Sequence, residues 1–351
     1  MRKLLLSVMA SLSICSAAQA FWPEAMDSKL EIGVGYRQDS LKWKSDIHSG
    51  YYSSGSDYDD YYDTFGPTFH SDFDWKNINI WTIELRGKYV TCDNVYLRGS
   101  ADYGWVSSGK VHHHDSLGFD GYSSGSSYDV GFDNSSHKVK GSVYDVKFAV
   151  GYQFQLCDNT FSVSPLIGYS WHGQHFKGDH HGYGYSSSSD YYYSSSSSYY
   201  YDYSSGSSYG GNGRGIHTRW NGPFIGFDFD YNLCCQWNIF GGYEFHWAHY
   251  HAKAKHDNFN QNGYFNNRFQ QHAKNAYGSV FDIGVSWEMC DSWTLALRGE
   301  FQWWCADHAH NRITTDENSF GNVERKCFLD IPVRHVKWDS SSVILDVGVV
   351  F

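Results

Sequence analysis

The last nine residues, Val343-Ile-Leu-Asp-Val-Gly-Val-Val-Phe351, leave few folds open. Val343, Leu345, Val347, Val349 and Phe351 fall on one face, and Asp346 and Gly348 on the other. Ile344 and Val350 blur the contrast without removing it. A period of two belongs to extended chain, because successive side chains leave opposite sides of the backbone. An apolar face set against a polar one suits a strand with hydrocarbon on one side and a wet interior on the other.

The pattern recurs, giving about ten strands. Leu30, Ile32, Val34 and Tyr36 begin it, followed by Trp81, Ile83, Leu85 and Tyr89, then Val95, Leu97, Ala101, Tyr103 and Trp105. The clearest run sets Tyr144, Val146, Phe148, Val150, Tyr152 and Phe154 against Lys147, Ala149, Gly151, Gln153 and Gln155. Further runs start at Phe161, Ile225, Trp237, Phe281 and Trp293, and the C-terminal segment is the tenth. Tight turns at 91–94, 157–160, 233–236 and 290–292 alternate with long connections near 45–73, 106–138, 173–217, 250–276 and 304–337.

Short turns at one end and long loops at the other predict an all-β fold: a transmembrane antiparallel up-and-down β-barrel of about ten strands. The turns would be periplasmic and the loops extracellular. No stretch after the leader has the ~20 apolar residues of a membrane helix. Aromatic residues make up 19 % of the chain, suiting girdles at two membrane interfaces better than a soluble sandwich. The terminal strand resembles the closing strand of outer-membrane barrels, the segment read by the barrel-assembly machinery. At the other end, Met1-Arg-Lys, an apolar run over 4–14 and Ala18-Gln19-Ala20 read as a signal peptide over 1–20. The barrel is then expected over 21–351. Ile14 before Cys15 is wrong for lipoprotein cleavage.

Ten strands make a narrow tube. The inward set is basic at Arg37, Arg86, Lys88, Arg98, Lys147 and Arg298. It is acidic at Glu31, Glu84, Asp102, Asp228, Asp230, Glu244, Asp282, Glu288, Glu300 and Asp346. Opposite charges across so small a bore favour a packed, ion-paired lumen over an open, slightly cation-favouring pore. The net charge of −11 argues against nucleic acid as a partner. Outer-membrane lipid and lipopolysaccharide, bridged by divalent cations, are the expected surroundings.

The loops carry low-complexity Tyr/Ser tracts at 50–62, 121–129 and above all 183–210. Tyr supplies rigid contact area and Ser adaptable hydrogen bonding, so a host surface ligand is a candidate partner. Histidines gather at the same rim: His112, His113, His114, His180, His181, His246, His249, His251, His256, His308 and His310. Their spacing fits no metal motif, and neither a metal site nor a cofactor is expected. Seven cysteines follow Cys15. Cys92, Cys157, Cys234, Cys235 and Cys290 lie in or beside the turns, where cysteine-linked neighbours could be reached. Cys305 and Cys327 share one loop as a candidate disulfide.

Turn cysteines, aromatic strands and Tyr/Ser loops together resemble the cysteine-containing outer-membrane proteins of environmental Chlamydiae. That likeness implies a disulfide-reinforced outer membrane. The ten-strand layout, with Arg219-Trp-Asn-Gly-Pro-Phe-Ile-Gly-Phe227, resembles the omptin proteases. Their paired Asp-x-Asp and Asp-x-His, which activate a water, are not matched here. The corresponding places read Lys110-Val-His-His-His-Asp115 and His246-Trp-Ala-His-Tyr-His251, leaving only Asp115 with His249 or His251. No catalytic residue is therefore assigned. A porin-like or structural outer-membrane protein is expected, with a Tyr/Ser-loop adhesin and an omptin-like protease as alternatives.

Overall fold

Alternating residues become strand wherever the chain is described. The computed structural model describes residues 28–48, 68–120, 127–136, 138–157, 160–178, 184–188, 215–234, 236–260, 263–290, 292–317 and 325–351. The strands are β1 (Lys29–His48), β2 (Thr68–Val90), β3 (Val95–Asp120), β4 (Ser127–Ser136), β5 (Val139–Tyr152), β6 (Phe154–Leu156) and β7 (Phe161–Gly178). They continue with β8 (Gly184–Ser188), β9 (Gly215–Cys234), β10 (Trp237–Asn260), β11 (Gly263–Cys290), β12 (Trp293–Glu317) and β13 (Arg325–Val350). Each barrel strand pairs antiparallel with its neighbours, and β1 pairs with both β2 and β13. The ring β1-β2-β3-β5-β7-β9-β10-β11-β12-β13 is therefore closed, which leaves no unpaired edge in lipid. β6 continues β5 beyond Gln153, and β4 and β8 extend the sheet from the outer end of β3.

The turns at the periplasmic end are short. Asn94, in the left-handed region at φ 62°, lets its amide donate to the Thr91 carbonyl at 2.9 Å. The Thr91 hydroxyl accepts from the Val95 amide at 3.0 Å. Cys157, also left-handed at φ 54°, opens the next turn, where the Thr160 amide donates to its carbonyl.

Exposed aromatics mark the membrane band. On β10 the outward run goes from Trp237 to Trp247, on β12 from Trp293 to Trp303, and on β11 from Trp287 back to Tyr277. Ten residues at about 3.3 Å each, tilted by about 45°, span roughly 23 Å, close to the ~25 Å apolar band of outer-membrane barrels.

The long connections were expected as loops, and this needs correcting. β10 and β11 stay paired out to Asn260 and Gly263, and β12 and β13 to Glu317 and Arg325. β1 and β2 stay paired to His48 and Thr68. Above the outer girdle these strands reverse polarity. On β10, Tyr243 and Trp247 face out and Glu244 and His246 in; further along, His249 faces out, and Ala248, Tyr250 and Ala252 face in. Lipid has given way to water outside, so the only place left for apolar side chains is within. The Tyr/Ser tract at 50–62 and residues 189–210 of the largest tract lie outside the described residues.

The filled lumen and a cluster on the outer wall

Period-two geometry sends one residue in two of each strand into a bore too narrow to hold them without contact, and the interior is filled in three storeys. At the periplasmic mouth a cavity of about 250 Å³ is lined by Lys29, Glu31, Arg86, Lys88, Asp230 and Glu288, among others. Lys88 donates to Asp230 at 3.0 Å, and Lys29 pairs with Glu31 at 2.6 Å. Glu288 is exposed at this rim rather than enclosed.

The second storey is a dense ionic layer. Arg98 bridges Asp228, at 2.5 Å, and Glu244, while the Tyr96 hydroxyl also donates to Asp228. Lys147 reaches Glu244 and Glu300 at 3.6 and 3.4 Å. Arg298 contacts Glu84 and stands 3.5 Å from both Glu300 and Asp346. Arg86 faces Asp282 at 3.9 Å. Asp102, half-buried on β3, is registered opposite Asp145.

Just above, Arg37 donates to Asp145 at 2.5 Å and to Asp39 at 2.7 Å. Asp145 also meets His172 at 2.9 Å, and Asp39 accepts from Trp338 Nε1 at 3.2 Å. His246, expected at the rim, is instead enclosed between Glu244 and Ser170, each at 2.9 Å. Sequence reasoning missed Asp39, Asp145 and His172. The signal was present: Asp145 and His172 adjoin the assigned outward residues Tyr144, Val146 and Trp171, and Asp39 follows the inward Arg37 by two.

The third storey is apolar. Trp220, Trp338, Tyr250, Phe176 and Ile78 are fully buried, and Trp304 stacks on Trp338 with ring centroids 5.5 Å apart. Trp43, Trp75, Val111, Val139, Val333 and Val336 complete a continuous core across the tube. None of this layer was anticipated.

Other expected residues disperse. His249 is exposed on the outer wall, and His112 is exposed too. The side chains of His113, His114, Asp115, His256, His308 and His310, and all of His180 and His181, lie outside the described residues. Cys92 and Cys157 are exposed free thiols, while the side chains of Cys234, Cys290 and Cys327 and all of Cys235 are not described. The expected Cys305–Cys327 bridge is not made. Cys305 is a free thiol registered opposite Lys337, whereas Cys327 stands opposite Thr315, ten residues farther along β12. At about 3.3 Å per residue the two are far beyond disulfide reach. Cys305 lies instead with Asp307 and His335 on the outer wall, just past the girdle residue Trp303. Burial raises this thiol above its ordinary range.

A closed barrel with an apolar belt, aromatic rims and a polar ionic interior defines an outer-membrane β-barrel protein. Residues 31–351 match the model of the family described as Pom, Protochlamydia outer membrane protein, and the chain belongs to that family. The fold is similar to that of the outer membrane protease OmpT from Escherichia coli, with a TM-score of 0.65 at 10 % identity over 93 % of this chain and 97 % of that one. It is distantly similar to the outer membrane protein OprG from Pseudomonas aeruginosa, with a TM-score of 0.32 at 9 % identity. That match covers 93 % of this chain and 97 % of OprG. No curated protein matches the sequence.

Proposed function

We propose that the protein is a structural, porin-like component of the outer membrane whose lumen is shut at rest. It would preserve the permeability barrier and pass solutes only where its filling is displaced. The observation that carries this reading is the stacking of two closures in one bore. Arg298 and Arg98, 2 % and 6 % exposed, knit the ionic layer across the tube, and the Trp220–Trp304–Trp338 core lies above it. Side chains buried to this degree on two successive levels disfavour a wide hydrated path through the bore.

The test is single-channel conductance of refolded residues 21–351 in a planar bilayer, with heat-modifiable gel mobility as proof of folding. Folded protein should give no long-lived wide-pore steps. Frequent large ohmic steps, altered by charge reversal at Arg86 or Glu244, would replace this reading with an open charged pore.

One observation favours a second role at the surface. β10 runs thirteen residues beyond Trp247 to Asn260, which lifts its connection about 30 Å above the girdle at ordinary rise and tilt. The same wall carries β7 out to Gly178 and β9 from Gly215, the strands that flank the 183–210 tract, and a projecting wall of this kind suits display of Tyr/Ser segments to a host ligand. Deleting 183–210 should leave the barrel folded and abolish binding to host cells; undiminished binding would remove the adhesin reading. Proteolysis of the omptin kind is left out of the proposal. It needs a carboxylate and an imidazole converging on one water, and the inward positions of β10 above His246 are Ala248, Tyr250 and Ala252.

A further inference from the structure

Cys305, Asp307 and His335 form a group that neither the lumen nor the girdles account for. Asp307 and His335 are directly opposite across the β12–β13 ladder, and Cys305 precedes Asp307 by two residues, so the register places all three on one face. A bulge interrupts the β1–β13 pairing beside His335, between Lys44 and Ser45, and bulges commonly re-aim a neighbouring side chain. Cys305 Sγ stands 3.5 Å from Asp307 Oδ1 and 3.6 Å from His335 Nδ1. The Asp307 Oδ1 to His335 Nδ1 distance is 2.7 Å. Cys305 is buried, while Asp307 and His335 remain partly open to solvent.

A nucleophilic relay would place the thiol on one imidazole nitrogen and the carboxylate on the other. Here Asp307 Oδ1 holds Nδ1, while Cys305 Sγ lies almost midway between the ring nitrogens, 3.6 Å from Nδ1 and 3.8 Å from Nε2, in line with neither, so the arrangement is not a relay. It fits a metal better. A tetrahedral zinc with sulfur at about 2.3 Å and nitrogen and oxygen near 2.0 Å sets S–N and S–O at about 3.5 Å and N–O at about 3.3 Å. Both sulfur distances already match; the hydrogen-bonded N–O edge needs to open by about 0.6 Å, and the imidazole, whose Nε2 also lies 3.8 Å from the sulfur, needs to turn so that Nδ1 faces the ion.

We propose that Cys305, Asp307 and His335 bind a single zinc-class divalent ion on the outer wall of the barrel, immediately above the membrane. Thiolate with imidazole selects zinc or cobalt over magnesium or calcium. The fourth position faces solvent and is left for water. Metal binding deprotonates the thiol outright. Lys337, registered opposite Cys305, and Tyr277, registered against it from β11, flank the site. The ion would clamp β12 to β13 where the strands leave lipid and become a free-standing tube.

The test uses refolded residues 21–351 in detergent with Cys92, Cys157, Cys234, Cys235, Cys290 and Cys327 replaced by Ser, titrated with Co²⁺. One equivalent should give a thiolate-to-cobalt charge-transfer band with tetrahedral d–d absorption, displaced by Zn²⁺. The histidine-rich tracts cannot produce that band. Cys305→Ser should abolish it, and His335→Ala or Asp307→Asn should weaken binding by roughly tenfold or more, as even lost outer-shell partners do. If the Cys305-only protein shows heat-modifiable mobility but no such band, the site does not exist. A band that His335→Ala and Asp307→Asn both leave unchanged would likewise overturn it.

Discussion

Arg298 shows what a single residue contributes to this interior. Its guanidinium, 2 % exposed, is shared among Glu84, Glu300 and Asp346, of which Glu84 and Asp346 are buried and Glu300 half-buried. A buried ionic group of this kind adds little net stability over apolar packing, yet losing one partner is costly because the others stay buried and unpaired. Arg298→Met should therefore destabilise the barrel by about 3–5 kcal/mol in urea titrations of the refolded protein. Adding Glu84→Gln should recover part of that loss, since it removes one stranded charge. Undiminished stability of Arg298→Met alone would mean that water already reaches the layer. At the same scale Cys305 reads differently in context than alone. Sequence adjacency within one connection suggested Cys327 as its partner, and only the register brings His335 to it.

At the level of the strand, phase decides everything. Val347 faces lipid at 42 % exposure, while Asp346, beside it, is buried in the ionic layer. Val347→Arg should impair assembly into vesicles by about 2–4 kcal/mol if it sits mid-bilayer, and less nearer an interface. Normal folding of this variant would mean that the strand is turned the other way. Between the girdles phase was legible, because lipid outside and a polar interior give a strong alternation, as at Val146, Phe148, Val150 and Tyr152 against Lys147, Gly151 and Gln153. Beyond the girdle the same strands change sign. On β1, Leu41 and Trp43 turn inward while Lys42 and Lys44 face water. A reader tracking apolar-outward strands sees that pattern stop and infers a loop, although the period of two continues.

The whole molecule is a tube of two environments joined end to end: a membrane segment, apolar outside and ionic within, and an outer segment, polar outside and aromatic within. Closure depends on β1 meeting β13, the two most distant strands in sequence, and this pairing brings Arg37 and Asp39 of β1 against Trp338. The bore is thus sealed only when the ring is complete, so the conductance experiment reads a property of the assembled barrel and of no single hairpin. The sequence by itself determined the class of fold, the strands within the membrane and their phase, because each follows from neighbours two residues apart meeting lipid or not. Tertiary structure alone decided which charges pair, that an aromatic core stops the outer tube, and that Cys305 meets Asp307 and His335. Those outcomes turn on interstrand register and on side chains meeting across a closed ring, between residues as far apart as Asp39 and Trp338, 299 positions, and local alternation carries no information about such distances.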